Sequence, residues 1–524
     1  MPFRKTLRRR IRRSTNSESL ELRCLLSTIT VTSSADEVAD DGQITLREAI
    51  QAANTNTSVD GSNAGSDTEV DVIEFATAVE TIELSLGDFD IEDNVIIRGP
   101  SGRVTIDAQE GSRHFDVTVG GLAFTVENMR LINGLTTETE ATGGSIRLDE
   151  PIGTAGIELN VINSQFENNE SAWHGGAISV VGEEPASGDL GSLEVTIRDS
   201  TFTNSTAAGS GGAILVVGES NVLIEGSSFD GSTAHRNGGT VMVFDRDGGG
   251  DRGISNATVI DSSFTNGEAT GNNGQAAWGG GFYYFGNGRS EVSGSYFAGN
   301  RANFGGGIAI TGADGTSHIL RDSIVEDNNT AQEGGGVQGI FLTVVNSTIR
   351  NNHTDGIGGG VKAWELRMFD SEVSNNTADS DGAGVYVGQT SSEASRETFS
   401  ITTVIQDSEI DSNTADSQGG GIYSGGGTLR VEGTQISSNS ARLGGGIGIS
   451  QSNLELTGSS VANNTASTWG GGLLVFASNN GATIRNSTIA GNTADTAGGG
   501  IYGCLLYTSP SPRDRTRSRM PSSA

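Results

Sequence analysis

Residues 486–501 read N-S-T-I-A-G-N-T-A-D-T-A-G-G-G-I, and near-copies of this stretch recur through most of the 524-residue chain. Twelve copies carry an anchor hydroxyl, at Ser164, Ser200, Ser227, Ser262, Ser295, Ser323, Ser347, Ser371, Ser408, Thr434, Ser459 and Ser487. Successive anchors stand 24 to 37 residues apart; 24 reads as one bare coil and the longer intervals as a coil plus an inserted loop. A repeat of this length is the mark of a solenoid, in which no unit is stable alone and each buries its neighbour's face.

Each copy places an apolar residue two positions after the anchor, then a polar turn, a glycine-rich triplet and another apolar residue. Nine copies put asparagine three places after the first apolar residue: Asn169, Asn300, Asn328, Asn352, Asn376, Asn413, Asn439, Asn464 and Asn492. Asparagine tolerates the left-handed backbone conformation, so these nine are expected to sit in a tight bend. Stacked at about 4.8 Å, they are also expected to hydrogen-bond as a ladder. Glycine pairs supply a second bend, beginning at Gly175, Gly211, Gly238, Gly279, Gly305, Gly334, Gly358, Gly419, Gly444, Gly470 and Gly498; Gly382-Ala383-Gly384 breaks the pair. The apolar residues flanking the bends, such as Ile410 and Ile422 or Ile489 and Ile501, are expected to point inward as a continuous column. Twelve such coils make a rod on the order of 60 Å long.

Composition agrees with a solenoid and narrows its partners. There are 78 glycines against 7 prolines and only 6% aromatic residues, which does not suit an ordinary globular core, and the glycine has no collagen period. Net charge is −32, although residues 1–27 carry +6 and residues 504–524 carry +3, so the body stands at −41. A surface that acidic repels phosphate backbones, so no nucleic-acid partner is expected. The body holds a single lysine, Lys362. Both cysteines, Cys24 and Cys504, lie in the terminal segments, so no disulfide framework is expected in the body. No run of about 18 apolar residues exists, and no transmembrane helix is expected.

Along the chain, residues 1–27 are expected to be a basic export or targeting segment. Within it L-E-L-R-C-L-L-S, residues 20–27, resembles an element that follows an arginine-rich start in large planctomycete surface proteins, which implies export. Residues 28–80 read as an N-terminal cap. Thr45 and Glu48 have capping-box spacing, and Leu46, Ala49, Ile50 and Ala53 share one face of a helix over about 45–54. This stretch resembles the C-S-L-R-E-A-I module at the head of bacterial β-helix surface proteins, with Ile44 where that module has cysteine. Residues 81–503 are expected to form the β-helix, regular over about 163–503. Residues 504–514 match the translation of a transposon-end sequencing adapter, so 504–524 are read as an artefact, with the natural reading frame continuing past 503.

The repeat carries a second resemblance. G-G-A-I at residues 175–178 and 211–214, with F-x-x-N at 166–169 and 297–300, resembles the paired motifs of chlamydial polymorphic outer-membrane protein repeats, surface adhesins exported as autotransporters. The fold class expected is therefore all-β: a single-stranded right-handed parallel β-helix, a pectin-lyase-like solenoid, with a short N-terminal capping helix. The function expected is an exported cell-surface or extracellular passenger, adhesin-like or structural, in which a monomeric rod presents loops to a surface glycan or protein. The insertions at 182–192, 245–255, 265–277 and 388–400 would be its contact surfaces. The alternative is a lyase or hydrolase acting on acidic glycans along the same rod.

No catalytic, cofactor-binding or metal residue is assigned. The five histidines, His114, His174, His235, His318 and His353, share no repeat position and are expected in solvent or turns. Trp173, Trp278 and Trp469 precede glycine pairs and form an aromatic tier that either shields the bend or stacks on sugars. Calcium is the cofactor considered, at Asp36, Asp40 and Asp41 beside Gly42, or at Asp245, Asp247 and Asp251; neither group matches an EF-hand loop.

Overall fold

The computed structural model describes residues 27–503 apart from 151–155, 183–192, 246–253, 272–274, 313–315, 317, 389–401 and 477–480. The expected export segment, save Ser27, and the 504–524 tail lie outside the described residues.

Short runs of alternating β-branched and polar residues form strands, and Asx or glycine corners end them. The strands build three parallel sheets of 29, 15 and 13 strands among the described residues. One coil shows the plan. After the anchor Ser408, Glu409–Asp411 enters the 15-stranded face and Thr414–Ala415 the 13-stranded face; Ile422–Ser424 and Gly427–Glu432 then lie in the long 29-stranded face, before the next anchor. Pairing joins equivalent residues of neighbouring coils, as where Ile410 meets Val373 on one side and Ile436 on the other. The molecule is a parallel β-helix.

Alternate side chains point inward and form one core running from Ile29 to Ala482. Ile410 and Ile422 are fully buried, whereas Ile489 and Ile501 in the last described coil are only partly covered. Phe166, Phe202, Phe229, Phe264 and Phe297 stack as five successive rungs with ring centroids 4.6 to 4.8 Å apart.

The corners depart from expectation by one residue. The left-handed residue is the one before each ladder asparagine: Asn168, Gly299, Asp327, Asn351, Asn375, Ser412, Ser438, Asn463 and Gly491, with φ between 53° and 66°. The asparagines themselves point inward and carry the hydrogen bonds. From Asn300 to Asn492 each Nδ2 donates to the Oδ1 of the next asparagine at 2.9 to 3.0 Å. From Asn328 onward each Oδ1 also accepts the backbone N–H of the asparagine before it, as Asn376 Oδ1 does from Asn352 at 3.0 Å, while Asn300 Oδ1 accepts from Gly267 N–H at 2.8 Å. Asn169 stands apart, because the next three copies place Ser205, Ser232 and Gly267 at this position.

The anchor hydroxyls form a second ladder. Ser347 Oγ accepts the backbone N–H of Ser323 at 3.3 Å and donates to the Val345 carbonyl at 2.8 Å, and the same pair of bonds recurs along the rod. The residue before each anchor is again left-handed, Asp370 and Asp407 among them. The first glycine of each triplet makes the third corner, with φ between 61° and 72°.

The helix spans Leu46–Thr55, and its capping box is formed: Thr45 Oγ1 accepts from Glu48 N–H at 3.2 Å and Glu48 Oε2 from Thr45 N–H at 2.9 Å. Ile44 is buried beneath it and pairs with Thr32 through its backbone. Leu46, Ala49, Ile50 and Ala53 are covered as expected.

Candidate functional site

The long face is where the coils differ. Val337–Val345 and Val361–Phe369 cross it as unbroken nine-residue strands. Elsewhere the crossing is divided, and chain leaves and returns between the two halves. It departs after Ile178–Gly182 and rejoins at Leu193–Arg198, departs after Val241–Phe244 and rejoins at Asn256–Ile260, and departs after Val385–Val387 and rejoins at Thr402–Gln406. Parallel register stacks these exits on one line along the rod. Three of the four expected contact insertions therefore spring from one edge, while most of their residues lie outside the described residues. The fourth, 265–277, leaves after Glu268–Ala269 on the 13-stranded face and returns at the glycine corner.

Beside that line the outer side of the long face carries an apolar band whose four central residues are themselves buried, 0 to 6% exposed. Leu215, Met242, Tyr283 and Ala309, which alternate with core residues, pack together and against the partly buried Val217, Phe244, Trp278 and Phe285. Trp278 stacks on Phe304 at 4.2 Å between centroids, and Phe244 on Phe285 at 5.3 Å. In the next two coils the same outward column holds Gln338 and then Lys362. Lys362 is 1% exposed, with Nζ 3.2 Å from a Glu333 carboxylate oxygen that also accepts from Gln338 Nε2 at 3.2 Å. The body's single lysine is thus a buried, paired charge. Tyr386 and Tyr423 follow, with rings 5.0 Å apart.

The tryptophan tier lies alongside. Trp173 carries the Arg236 guanidinium 4.3 Å from its ring centroid, and Trp469 stacks on Tyr502 at 5.2 Å. Each of the three indoles is partly buried, with a partner over one face.

The expectation that the histidines sit in solvent or turns fails for His114 and His318, which are buried. His114 Nε2 faces the Ile106 and Ile132 carbonyls at 3.0 and 3.1 Å and its Nδ1 meets Ser145 Oγ at 2.9 Å. His318 Nδ1 meets Ser290 Oγ at 3.0 Å. Burial pushes both rings, and that of His174, down to about 4. His174 accepts Ser210 N–H at 2.8 Å; His235 is exposed. His353 gathers with Asp355 and Asp379, their ligand atoms within 4.8 Å of one another. Its ring nitrogens are engaged, by Thr377 Oγ1 at 2.8 Å and Asp355 Oδ1 at 3.1 Å.

The first acidic group considered for calcium is not convergent. Asp36 takes Arg47 Nε at 2.8 Å and the N–H groups of Ser85 and Leu86 at 2.7 and 2.8 Å. Burial alone would raise its carboxyl, but these donors outweigh it and hold the pKa below the ordinary value. Asp36 ties the cap to the first coils; Asp40 and Asp41 are exposed. In the second group Asp245 is buried, and Asp247 and Asp251 lie outside the described residues.

The motifs find counterparts. A family model described as right handed beta helix region matches residues 188–378, and one described as Chlamydia polymorphic membrane protein repeat matches residues 407–425. The repeat is similar to that of the chlamydial polymorphic membrane proteins. The fold is a right-handed parallel β-helix. A solved structure, the A-module of the Azotobacter vinelandii mannuronan C-5 epimerase AlgE6, is 10% identical, covers 88% of this chain and 95% of its own, and superposes with a TM-score of 0.25. No curated protein matches the chain.

Proposed function

We propose that this chain is a surface-exposed, autotransporter-like passenger of a bacterial cell envelope, adhesin-like and without catalysis, whose rod holds contact loops in line. The observation that carries this reading is the shared exit line of the insertions beside an outward aromatic band. A rigid scaffold with variable loops on one edge is a recurrent way to build a recognition surface. The similarity to polymorphic membrane protein repeats supports the setting. The partner engaged is a surface glycan or protein that lies along the long face.

Capture of cells or immobilised glycans by the purified chain tests this. Replacing both Trp278 and Phe285 with alanine is expected to weaken capture about tenfold or more while leaving the β-rich circular dichroism unchanged, since aromatic anchors dominate such contacts. Release of unsaturated or free uronate from acidic glycans, with or without calcium, would instead establish the polysaccharide-active alternative and overturn the passenger reading.

A further inference from the structure

On the two unbroken strands of the long face, Gln338 and Lys362 stand side by side in the outward column. They are one bare coil, 24 residues, apart in the chain. Parallel register brings their backbones to about 4.8 Å. Gln338 is 2% exposed and Lys362 1%. Their neighbours in the column are Ala309 on the glutamine side and Tyr386 on the lysine side. Two residues further along the same strands, Ile340 and Trp364 are also buried. An amine and a carboxamide are thus held against each other and shielded from water.

Glu333 connects the two. Its Oε2 lies 3.2 Å from Lys362 Nζ and accepts Gln338 Nε2 at 3.2 Å. One carboxylate oxygen therefore touches both a nitrogen able to attack the carboxamide and the nitrogen that would leave it. The amide orientation is enforced, since the opposite setting would bring its oxygen against the carboxylate. Gln338 Oε1 has no hydrogen-bond partner among the described residues, so Glu333 is what holds the carboxamide, and its carbon can turn toward the amine. An ion pair that only supports the fold needs the lysine and the carboxylate. A third member, a buried carboxamide with an unsatisfied oxygen, adds cost to that role without strengthening it.

We propose that Lys362 and Gln338 join through an intramolecular isopeptide bond, with Glu333 carrying the protons. Glu333 takes one proton from the Nζ ammonium, and the neutral amine adds its electron pair to Gln338 Cδ. Glu333 passes that proton to Nε2 and takes a second from Nζ, as the Nζ–Cδ bond forms and the Cδ–Nε2 bond breaks. Ammonia departs with the second proton as ammonium, which restores the carboxylate. One amide replaces another, so the step needs no oxidant, reductant or co-reactant.

Fixed proximity supplies most of what such an exchange requires, because the fold holds amine and carboxamide together for the lifetime of the protein. Loss of ammonia to solvent carries the exchange forward, and the enclosed setting keeps water from reversing it. The bond closes one coil into a ring and ties two neighbouring coils of the long face together. It does not depend on what the rod binds.

The chain has two lysines, Lys5 and Lys362, so a lysine-specific protease acting on the unfolded chain reads the state of Lys362 directly. The full chain, aged at neutral pH and then unfolded, is expected to resist cleavage after residue 362. Its tryptic digest should contain residues 322–350 joined to 351–367, about 17 Da lighter than the two pieces together, the mass of the ammonia lost. Glu333→Gln, with the β-rich circular dichroism of the parent, should stay unlinked and be cut into two large fragments. Gln338→Met, similar in volume, should be cut in the same way. The parent's own peptide mass decides the bond whether or not a variant folds. Complete cleavage of the aged parent after residue 362 would overturn the proposal. So would a joined peptide about 18 Da lighter, which would place the link on Glu333 with loss of water. A folded Glu333→Gln chain that still loses ammonia and resists the protease would contradict the role given to Glu333.

Discussion

His114 is wholly enclosed, and its hydrogen bonds leave room for one protonation state. Two carbonyls face Nε2, which therefore carries the proton, and Nδ1 accepts from the Ser145 hydroxyl. A second proton would place a charge in the core, which is why the ring titrates at about 4. Below pH 6.5 the unfolded chain binds a proton that the folded chain refuses, so stability falls as pH drops from 6.5 towards 4. For a fully buried ring this loss approaches about 3 kcal/mol. Thermal melts from pH 7 to pH 4.5 should show a shallower decline in His114→Gln than in the parent; parallel profiles would contradict this protonation state. A lone histidine among polar neighbours gave no periodic signal of burial, so its place had to come from three coils brought together in space. The asparagines were legible in part. Their recurrence announced a ladder, but the bend belongs to the residue before them, since an inward side chain that accepts and donates along the axis cannot also serve as the corner.

At the scale of the coil, glycine triplets and asparagine ladders are linked. Gly281, Gly307, Gly336, Gly360, Gly384, Gly421, Gly446 and Gly472 each lie against the ladder asparagine of the following coil, where a Cβ would crowd the amide. Where the following coil has Ser205, Ser232 or Gly267 instead, the third position is Ala177, Ala213 or Thr240. This pairing was present in the sequence and readable only across neighbouring copies, a comparison that a single-copy motif does not invite. Ser205 and Ser232 leave their hydroxyls buried without a partner, the cost of breaking the ladder. The pairing has a measurable consequence. A Cβ on Gly360 would lie 2.7 Å from the Gly384 carbonyl oxygen and 2.9 Å from Asn376 Nδ2, so Gly360→Ala should destabilise the coil by roughly 1–3 kcal/mol, part of it through the ladder amide. Asn376→Ser orphans two ladder donors and should cost a similar amount. Combined, they reproduce the arrangement around Ala177 and Ser205, and the double variant should cost less than the two singles together by about 1 kcal/mol. Amide exchange over these coils reads the coupling; strict additivity would show that the third glycine and the ladder are independent.

For the whole molecule, period and turn chemistry were enough to reach the β-helix, because a solenoid repeats the same local solution and each repeat restates it. What the period cannot encode is the contact surface, since the insertions are the parts that do not repeat. Their exit points became visible only when the strands of the long face were aligned by register. The rod also makes distance a function of coil count rather than of chain separation. Ser228 and Gln435 occupy equivalent places on the 15-stranded face, seven coils apart through Ser263, Tyr296, Ile324, Thr348, Glu372 and Glu409. With Cys24 and Cys504 replaced by serine, spin labels at Ser228→Cys and Gln435→Cys should lie about 34 Å apart by pulsed electron resonance. Moving the first label to Thr348, three coils from Gln435, should shorten this to about 14 Å, near the lower reach of the method, and moving it to Tyr296 should give about 24 Å. Distances that step by about 5 Å per coil are what stacked parallel coils require; distances that do not follow coil count would contradict the β-helix itself.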